Sequence, residues 1–262
     1  MLMQKTNAFR FKQFSVTQER AAMKVGTDGV LLGAWVSLGD ALQRVLDIGT
    51  GTGVIALMLA QRTASVAEPA AIDAVEVDPE ASSEAAGNFA ASPWAARLRV
   101  HTDPIQTYAA EYPGERYDLI VSNPPYFMAG TDFRRGNDVS TAVVARPSAA
   151  RVAARHAEML PYDDLIGSVL ALLKPNGRFA AIFPYRESGI FIAKAADRGL
   201  FVRRLLEISG APRKPVKRVA VECALSRAPR EAIVREKLCI EDGRGTFTEA
   251  YRLLTRDFYL KF

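Results

Sequence analysis

Between Arg44 and Pro125 this chain changes period at regular intervals, which leaves few folds open to it. Four short apolar runs, "RVLDIG", "AIDAVEVD", "LRVHTD" and "YDLIVSNPP", recur along this stretch. "GVIALMLAQRT" and "PEASSEAAGNFAAS" separate the first three and read as helices by periodicity and propensity. Pro79 opens the second helix at a first-turn position, where its missing N–H removes no helical bond. Near-continuous apolar strands need cover on both faces, and strands alternating with helices run parallel. The fold expected is therefore α/β, a doubly wound, Rossmann-like and mostly parallel sheet. "VLALLKPNGRFAAIFP" extends it as helix, Pro-Asn-Gly turn and strand. The last 60 or so residues read as strands joined by hairpin-like turns and a final helix, so a C-terminal antiparallel hairpin is expected. Before Arg44, "FRFKQFSV" reads as a short extended piece, and "KVGTDGVLLGAWV" as a Gly-rich turn entering an apolar helix.

The chain has 262 residues, 49% of them apolar and 24% charged, enough for one large domain or a domain with a small appendage. It has no apolar run near the ~18 residues of a membrane span, and its first residues lack the apolar core of a signal peptide. Cys223 and Cys239 are too few for a disulfide framework or a zinc site. The expectation is a cytoplasmic protein with no metal and no membrane partner. Oligomeric state is not legible; a monomer is the working expectation. Net charge is +5, unevenly spread: residues 40–122 hold 12 acidic and 5 basic side chains, and the flanks carry the basic excess. Such flanks are either an ordinary uneven surface or edges that hold a polyanion such as nucleic acid.

"LDIGTGTGV" puts Asp47, Gly49, Gly51 and Gly53 at the end of the first apolar strand. Glycine lets a backbone turn sharply and a ligand come close to it. By itself this is a tight strand-to-helix turn or a ligand cradle. Glu76 in "VEVD" ends the next strand, where a carboxylate can hold ribose hydroxyls, and Asp103 in "HTD" ends the third. The third glycine of the dinucleotide fingerprint is missing, because Val54 takes its place. A diphosphate also prefers positive surroundings, and this turn carries Asp47 with no basic neighbour. A nucleoside with a cationic substituent fits better than a dinucleotide.

"SNPPYF" follows the fourth strand, and its two prolines stop the sheet ladder. "LDIGTGTG", "VEVD" and "SNPPY" in this order resemble a class I S-adenosylmethionine-dependent methyltransferase, and "NPPY" resembles the enzymes that modify planar amide or exocyclic amine nitrogens. The residue types suit that chemistry. An exocyclic amine is a poor nucleophile, and two acceptors can hold it and favour its developing tetrahedral geometry. Asn123 offers a side-chain oxygen, and Pro124, stiffened by Pro125, offers its main-chain carbonyl. Tyr126 offers a flat face for a base, worth roughly 1–3 kcal/mol, and Phe127 extends that face or packs below it.

"FRFKQFSV", "AMKVGTDGVLLGAW", "ARHAEML" and "TEAYRLLTRDFYLKF" together resemble the bacterial tRNA adenine-N6 methyltransferases, which act on adenosine 37 of a valine tRNA. The resemblance covers most of the chain. It implies S-adenosylmethionine as cofactor and tRNA as partner. It implies a segment 1–43 that closes over the cofactor, through Lys24, Thr27 and Asp28, and a methyltransferase domain over 44–262. Gly49, Gly51 and Gly53 would line the cofactor, with Asp47 beside them; Glu76 would hold the ribose and Asp103 the adenine amine. Asn123, Pro124, Pro125 and Tyr126 would hold the target base, with Asn123 also bordering the cofactor. The stretch 128–150 is longer than the pattern leads one to expect and carries Arg134 and Arg135; it either clamps RNA or is an insertion without fixed structure. The second candidate RNA surface is "APRKPVKR", with Arg213, Lys214, Lys217 and Arg218. The rival readings are a release-factor glutamine methyltransferase, a ribosomal RNA or DNA amino-methyltransferase, and an RNA-binding protein that keeps a cofactor site without turnover.

Overall fold

A computed structural model describes residues 8–39, 42–65, 68–113, 117–124, 160–229 and 232–262. A small antiparallel hairpin, β1 (Ala8–Arg10) and β2 (Ser15–Thr17), precedes helix α1 (Thr27–Trp35). The alternation then runs β3 (Arg44–Ile48), α2 (Val54–Arg62), β4 (Ala71–Val75), α3 (Pro79–Ala90), β5 (Leu98–His101), α4 (Ile105–Glu111) and β6 (Tyr117–Ser122). After residue 160 come α5 (Tyr162–Leu172), β7 (Leu173–Pro184), α6 (Tyr185–Asp197), β8 (Phe201–Ser209), β9 (Val216–Ala224), β10 (Val234–Cys239) and α7 (Glu249–Thr255).

The strands after the hairpin form one eight-stranded sheet in the order β10-β8-β9-β7-β6-β3-β4-β5. β3 to β7 are parallel neighbours, and β9 runs antiparallel to both β7 and β8. The expected mostly parallel, doubly wound sheet and its C-terminal antiparallel hairpin are therefore both present. Three local expectations differ. β10 joins β8 in parallel rather than through a hairpin. The Pro-Asn-Gly turn lies inside β7 as a bulge: Tyr117 faces Leu173 while Leu119 faces Arg178. Helix α4 had no counterpart in the sequence reading, being only seven residues long.

Residues along a strand alternate faces. Val45 packs with α1 and α2 in one apolar layer, and Leu46 and Ile48 pack with α4, α5 and α6 in the other. Phe11, Phe14 and Val16 of the N-terminal hairpin region belong to the first layer. The basic C-terminal segment is partly structural. Arg204 on β8 bonds Glu236 at 2.6 Å and Glu222 at 3.2 Å, and lies 4.3 Å from the Trp35 ring.

The glycines of "TDGVLLGAW" lie within α1, not in a turn before it. They let α1 lie close on α2. A Cβ at Gly29 would stand 3.5 Å from Val54, and one at Gly33 would stand 2.9 Å from the Met58 sulfur. Gly33→Val should therefore destabilise the protein by about 1–3 kcal/mol, because the α1–α2 contact has no room for it. Urea denaturation checks this, and an unchanged midpoint would show that α1 can lift off α2 freely.

Candidate active site

All parallel strands end on the same edge of the sheet, and the strand order reverses between β3 and β6. Ligands in open α/β sheets bind in the crevice outside that point. Here the glycine turn after β3 meets the end of β6. Ile48 pairs with Ser122 in register, and the Ser122 hydroxyl donates to the Ile48 carbonyl at 2.9 Å. Asn123, half-buried, and Pro124, buried, follow directly. A Cβ on Gly29 would lie 3.9 Å from the Asn123 Nδ2, so the start of α1 borders the same crevice.

The turn is held on three sides. Gly49 N–H donates to the Val75 carbonyl at 2.8 Å, tying the turn to β4. Gly51 N–H donates to Glu76 Oε2 at 2.8 Å, and Asp78 N–H donates to Glu76 Oε1 at 3.0 Å. Asn88 on α3 donates to the Thr52 carbonyl at 2.9 Å and clasps Thr17 on β2 through both its amide atoms. Gly49 and Gly51 have φ of 69° and 55°, and a Cβ on either would point into open space. That opening is the place where a ligand can lie against bare backbone. Gly53 serves packing instead: a Cβ there would meet the Phe89 ring at 2.5 Å.

The carboxylates of this edge fit a nucleoside bearing positive charge. Glu76 is buried at the end of β4, and next to it Val77 leaves an apolar surface 51% exposed, a wall suited to a flat base. Asp78 has a different job: it caps α3 by accepting from Glu80 N–H at 2.9 Å. Asp103 lies half-buried just beyond β5. Asp47 is fully buried; Thr50 donates to its Oδ2 at 2.6 Å, while its Oδ1 has no hydrogen-bond partner among the described residues. Burial pushes its carboxyl up to about 7; the Thr50 hydroxyl and the Ala56 amide offset this in part, and the Glu76 charge adds to it. A buried carboxylate with one oxygen left bare, beside an open glycine cradle, suits the cationic end of S-adenosylmethionine.

A carboxyl whose folded value is raised contributes stability at low pH and loses it as pH rises to that value. The ligand-free protein should thus lose stability through Asp47 between pH ~4 and ~7, and Asp47→Asn should lose none. From pH ~5 to ~8 the variant should gain about 2–3 kcal/mol relative to the natural protein. S-adenosylmethionine should narrow this gap, because a bound cation favours the ionised carboxylate. Equal urea midpoint shifts for both proteins across that range would rule the assignment out.

The structure brings several sequence-assigned residues together and leaves others apart. Asp28 in the first turn of α1, assigned to the cofactor, accepts from Arg218 Nε at 2.7 Å, a residue assigned to RNA. Lys24, just before α1, and Thr27, its first residue, are exposed. Arg213, Lys214 and Lys217 are exposed on and beside the β8–β9 connection, with Arg213 at a φ of 63°. A non-glycine residue in that region costs roughly 1 kcal/mol, a strain that functional loops often carry. Pro125, Tyr126, Phe127, Arg134, Arg135 and the whole 128–150 stretch lie outside the described residues. Two residues were not found by sequence reasoning. Asn88 is one, and Glu84 is the other: its carboxylate accepts from the amides of Glu19, Arg20 and Ala21, and so fixes the segment that leads to α1. Both sit on a helix face where the sequence shows only polar residues at helical spacing.

The sheet order, the glycine turn and the acidic strand ends define a class I methyltransferase. Residues 29–149 match the Methyltransferase small domain family. The fold is that of a predicted O-methyltransferase from Agrobacterium tumefaciens, with a TM-score of 0.62 at 19% identity over 88% of this chain and 96% of that one. Relatives at much higher identity narrow the class. A tRNA1(Val) (adenine(37)-N6)-methyltransferase of Serratia proteamaculans is 45% identical over 96% of this chain and 89% of its own length. One from Trichodesmium erythraeum is 42% identical over 98% and 99%. The chain belongs to the tRNA1(Val) (adenine(37)-N6)-methyltransferase family.

Proposed function

We propose that this protein transfers a methyl group from S-adenosylmethionine to the exocyclic 6-amino group of adenosine 37 in valine tRNA. Identity of 40–45% with relatives of that name, over almost the full chain, is the observation that carries this reading. S-adenosylmethionine supplies a methyl carbon bound to a positively charged sulfur. Glu76 holds the ribose hydroxyls, Val77 lies against the adenine, and Asp47 faces the cationic end. Gly49 and Gly51 keep the backbone bare along the cradle.

Asn123 and the Pro124 carbonyl accept hydrogen bonds from the target amine and turn its lone pair out of conjugation. Pro125 stiffens that turn, and Tyr126 stacks on the base, on the strength of the motif. Placement of the amine by these acceptors supplies much of the rate. No strong base is needed, since the methylated amine readily loses its extra proton to water. A base inside the anticodon loop must be splayed out first, at a cost of a few kcal/mol. The segment before Arg44 closes the cofactor side, held by Glu84 and Asn88, and the exposed basic loop at 213–217 meets RNA phosphates.

The test is transfer of labelled methyl to total tRNA, followed by nucleoside analysis. N6-methyladenosine at position 37 of valine tRNA is the expected product. Methylated guanine would move the target. Label in a release factor, with none in RNA, would replace the reading by the glutamine-amide one.

A further inference from the structure

Helix α7 carries a groove of about 690 Å³ that the reaction does not use. Arg252, Arg256 and Lys261 line it, together with Phe247, Leu253 and Glu249. Arg252 and Arg256 are four residues apart and so share one helix face. Arg252 and Lys261 form no ion pair among the described residues, and Arg256 has only an exposed 3.8 Å contact with its neighbour Asp257. Phe247 stacks on Tyr251 at 5.0 Å and meets the Phe262 ring edge-on at 5.4 Å, which fixes the ring while leaving part of it exposed. A cleft with fixed aromatic surface and unpaired cations is what a polyanion with flat bases needs.

Topology joins the loop end of this groove to the proposed catalytic edge, and its far end, at Arg256, extends down the side of the molecule, where Gln61 in the last turn of α2 donates to the Asp257 carbonyl at 2.8 Å. β8 and β10 run parallel to β7, because β9 opposes both β7 and β8. Their ends, Ser209 and Cys239, therefore lie on the same edge as the glycine turn and Asn123. The two loops that follow touch: Ile240 N–H donates to the Ser209 carbonyl at 3.0 Å, and a Cβ on Gly243 would lie 3.6 Å from Pro212. A strip thus starts at Arg218 beside Asp28, passes Arg213 and Lys214, crosses the turn at Gly243 and enters the groove.

We propose that this groove is a second RNA-binding site, in which Arg252, Arg256 and Lys261 hold backbone phosphates and Phe247 takes an unpaired base of the same tRNA whose adenosine sits at Asn123. The proposal rests on tRNA being the substrate. Continuity with the basic loop favours RNA over an acidic protein segment, because an RNA anchored at Asn123 must leave across this edge. The groove contributes affinity and orientation, and its phosphate contacts are blind to sequence.

The test is tRNA binding by cofactor-loaded protein over a range of salt, alongside steady-state methylation. The variant R252Q/R256Q/K261Q should bind tRNA about 10-fold or more weakly at ~50 mM salt, and its dependence of log K on log salt should flatten by about 2. Its kcat at saturating tRNA and its affinity for S-adenosylmethionine should not change. Glu249→Gln, which removes the groove's own negative charge, should tighten tRNA binding about 2- to 3-fold, an effect opposite in sign to misfolding. An active natural protein, with triple and Glu249→Gln variants that match it in tRNA affinity and salt slope, would overturn the groove alone and leave it as a face for an acidic protein. Failure of the natural protein to bind or methylate tRNA would overturn the substrate assignment and this proposal with it.

Discussion

Asn123→Ala should lower turnover by about 100- to 1,000-fold while S-adenosylmethionine still binds. The expected size is that of removing one well-placed group that stabilises charge developing in the transition state. Asn123 follows β6 at the reversal of strand order, with its amide nitrogen 3.9 Å from where a Gly29 Cβ would lie. Alanine keeps the strand end and the Pro124 carbonyl, so one of the two proposed acceptors would remain and the target amine would turn loosely. The loss should fall on kcat, with KM for tRNA changed much less. Isothermal titration with cofactor and single-turnover methylation of tRNA separate the two effects. A variant that turns over at the natural rate would sink the assignment of the acceptor pair.

Glu76→Ala should weaken cofactor binding by about 100-fold or more. Each hydrogen bond to a charged acceptor is worth ~1.5–3 kcal/mol, and the proposed role gives Glu76 two of them to ribose. The same carboxylate already accepts from Gly51 and Asp78 N–H, so its loss also leaves two amides without partners and loosens the cradle. Glu76→Gln should fall between, since its side-chain oxygen can still accept from one amide. Equilibrium dialysis with labelled S-adenosylmethionine measures the series. Affinity unchanged in both variants would mean that the ribose lies elsewhere, and that Glu76 only braces the turn.

Much of this architecture could be read from the chain because its signals are local. The strand ending at Ile48 and the helix beginning at Val54 show a change from continuous apolar residues to helical spacing, with glycines at the junction. The order of ligand-type residues at successive strand ends is likewise a property of sequence. What stayed hidden depends on partners distant in the chain. Nothing near Glu84 indicates that it would bind the amides of residues 19–21, and nothing near Asn88 points to Thr17 and Thr52. Gly29 reads as part of the turn before the helix because glycine disfavours helix interiors; the closeness of Val54 to Gly29 and of Met58 to Gly33 shows why glycine stands at both positions within α1. Likewise Arg204 reads as one more surface charge until Glu222, Glu236 and Trp35 surround it.

The contact between Arg218 and Asp28 joins residues 190 positions apart, one assigned from the sequence to RNA and the other to the cofactor. Changes at either position should not combine additively. A lineage that remodels the β8–β9 loop to suit another RNA also alters the charge seen by the start of α1. The two halves of the site must therefore drift together, and a loop grafted from a distant relative will work best when it brings the matching residue at position 28 with it.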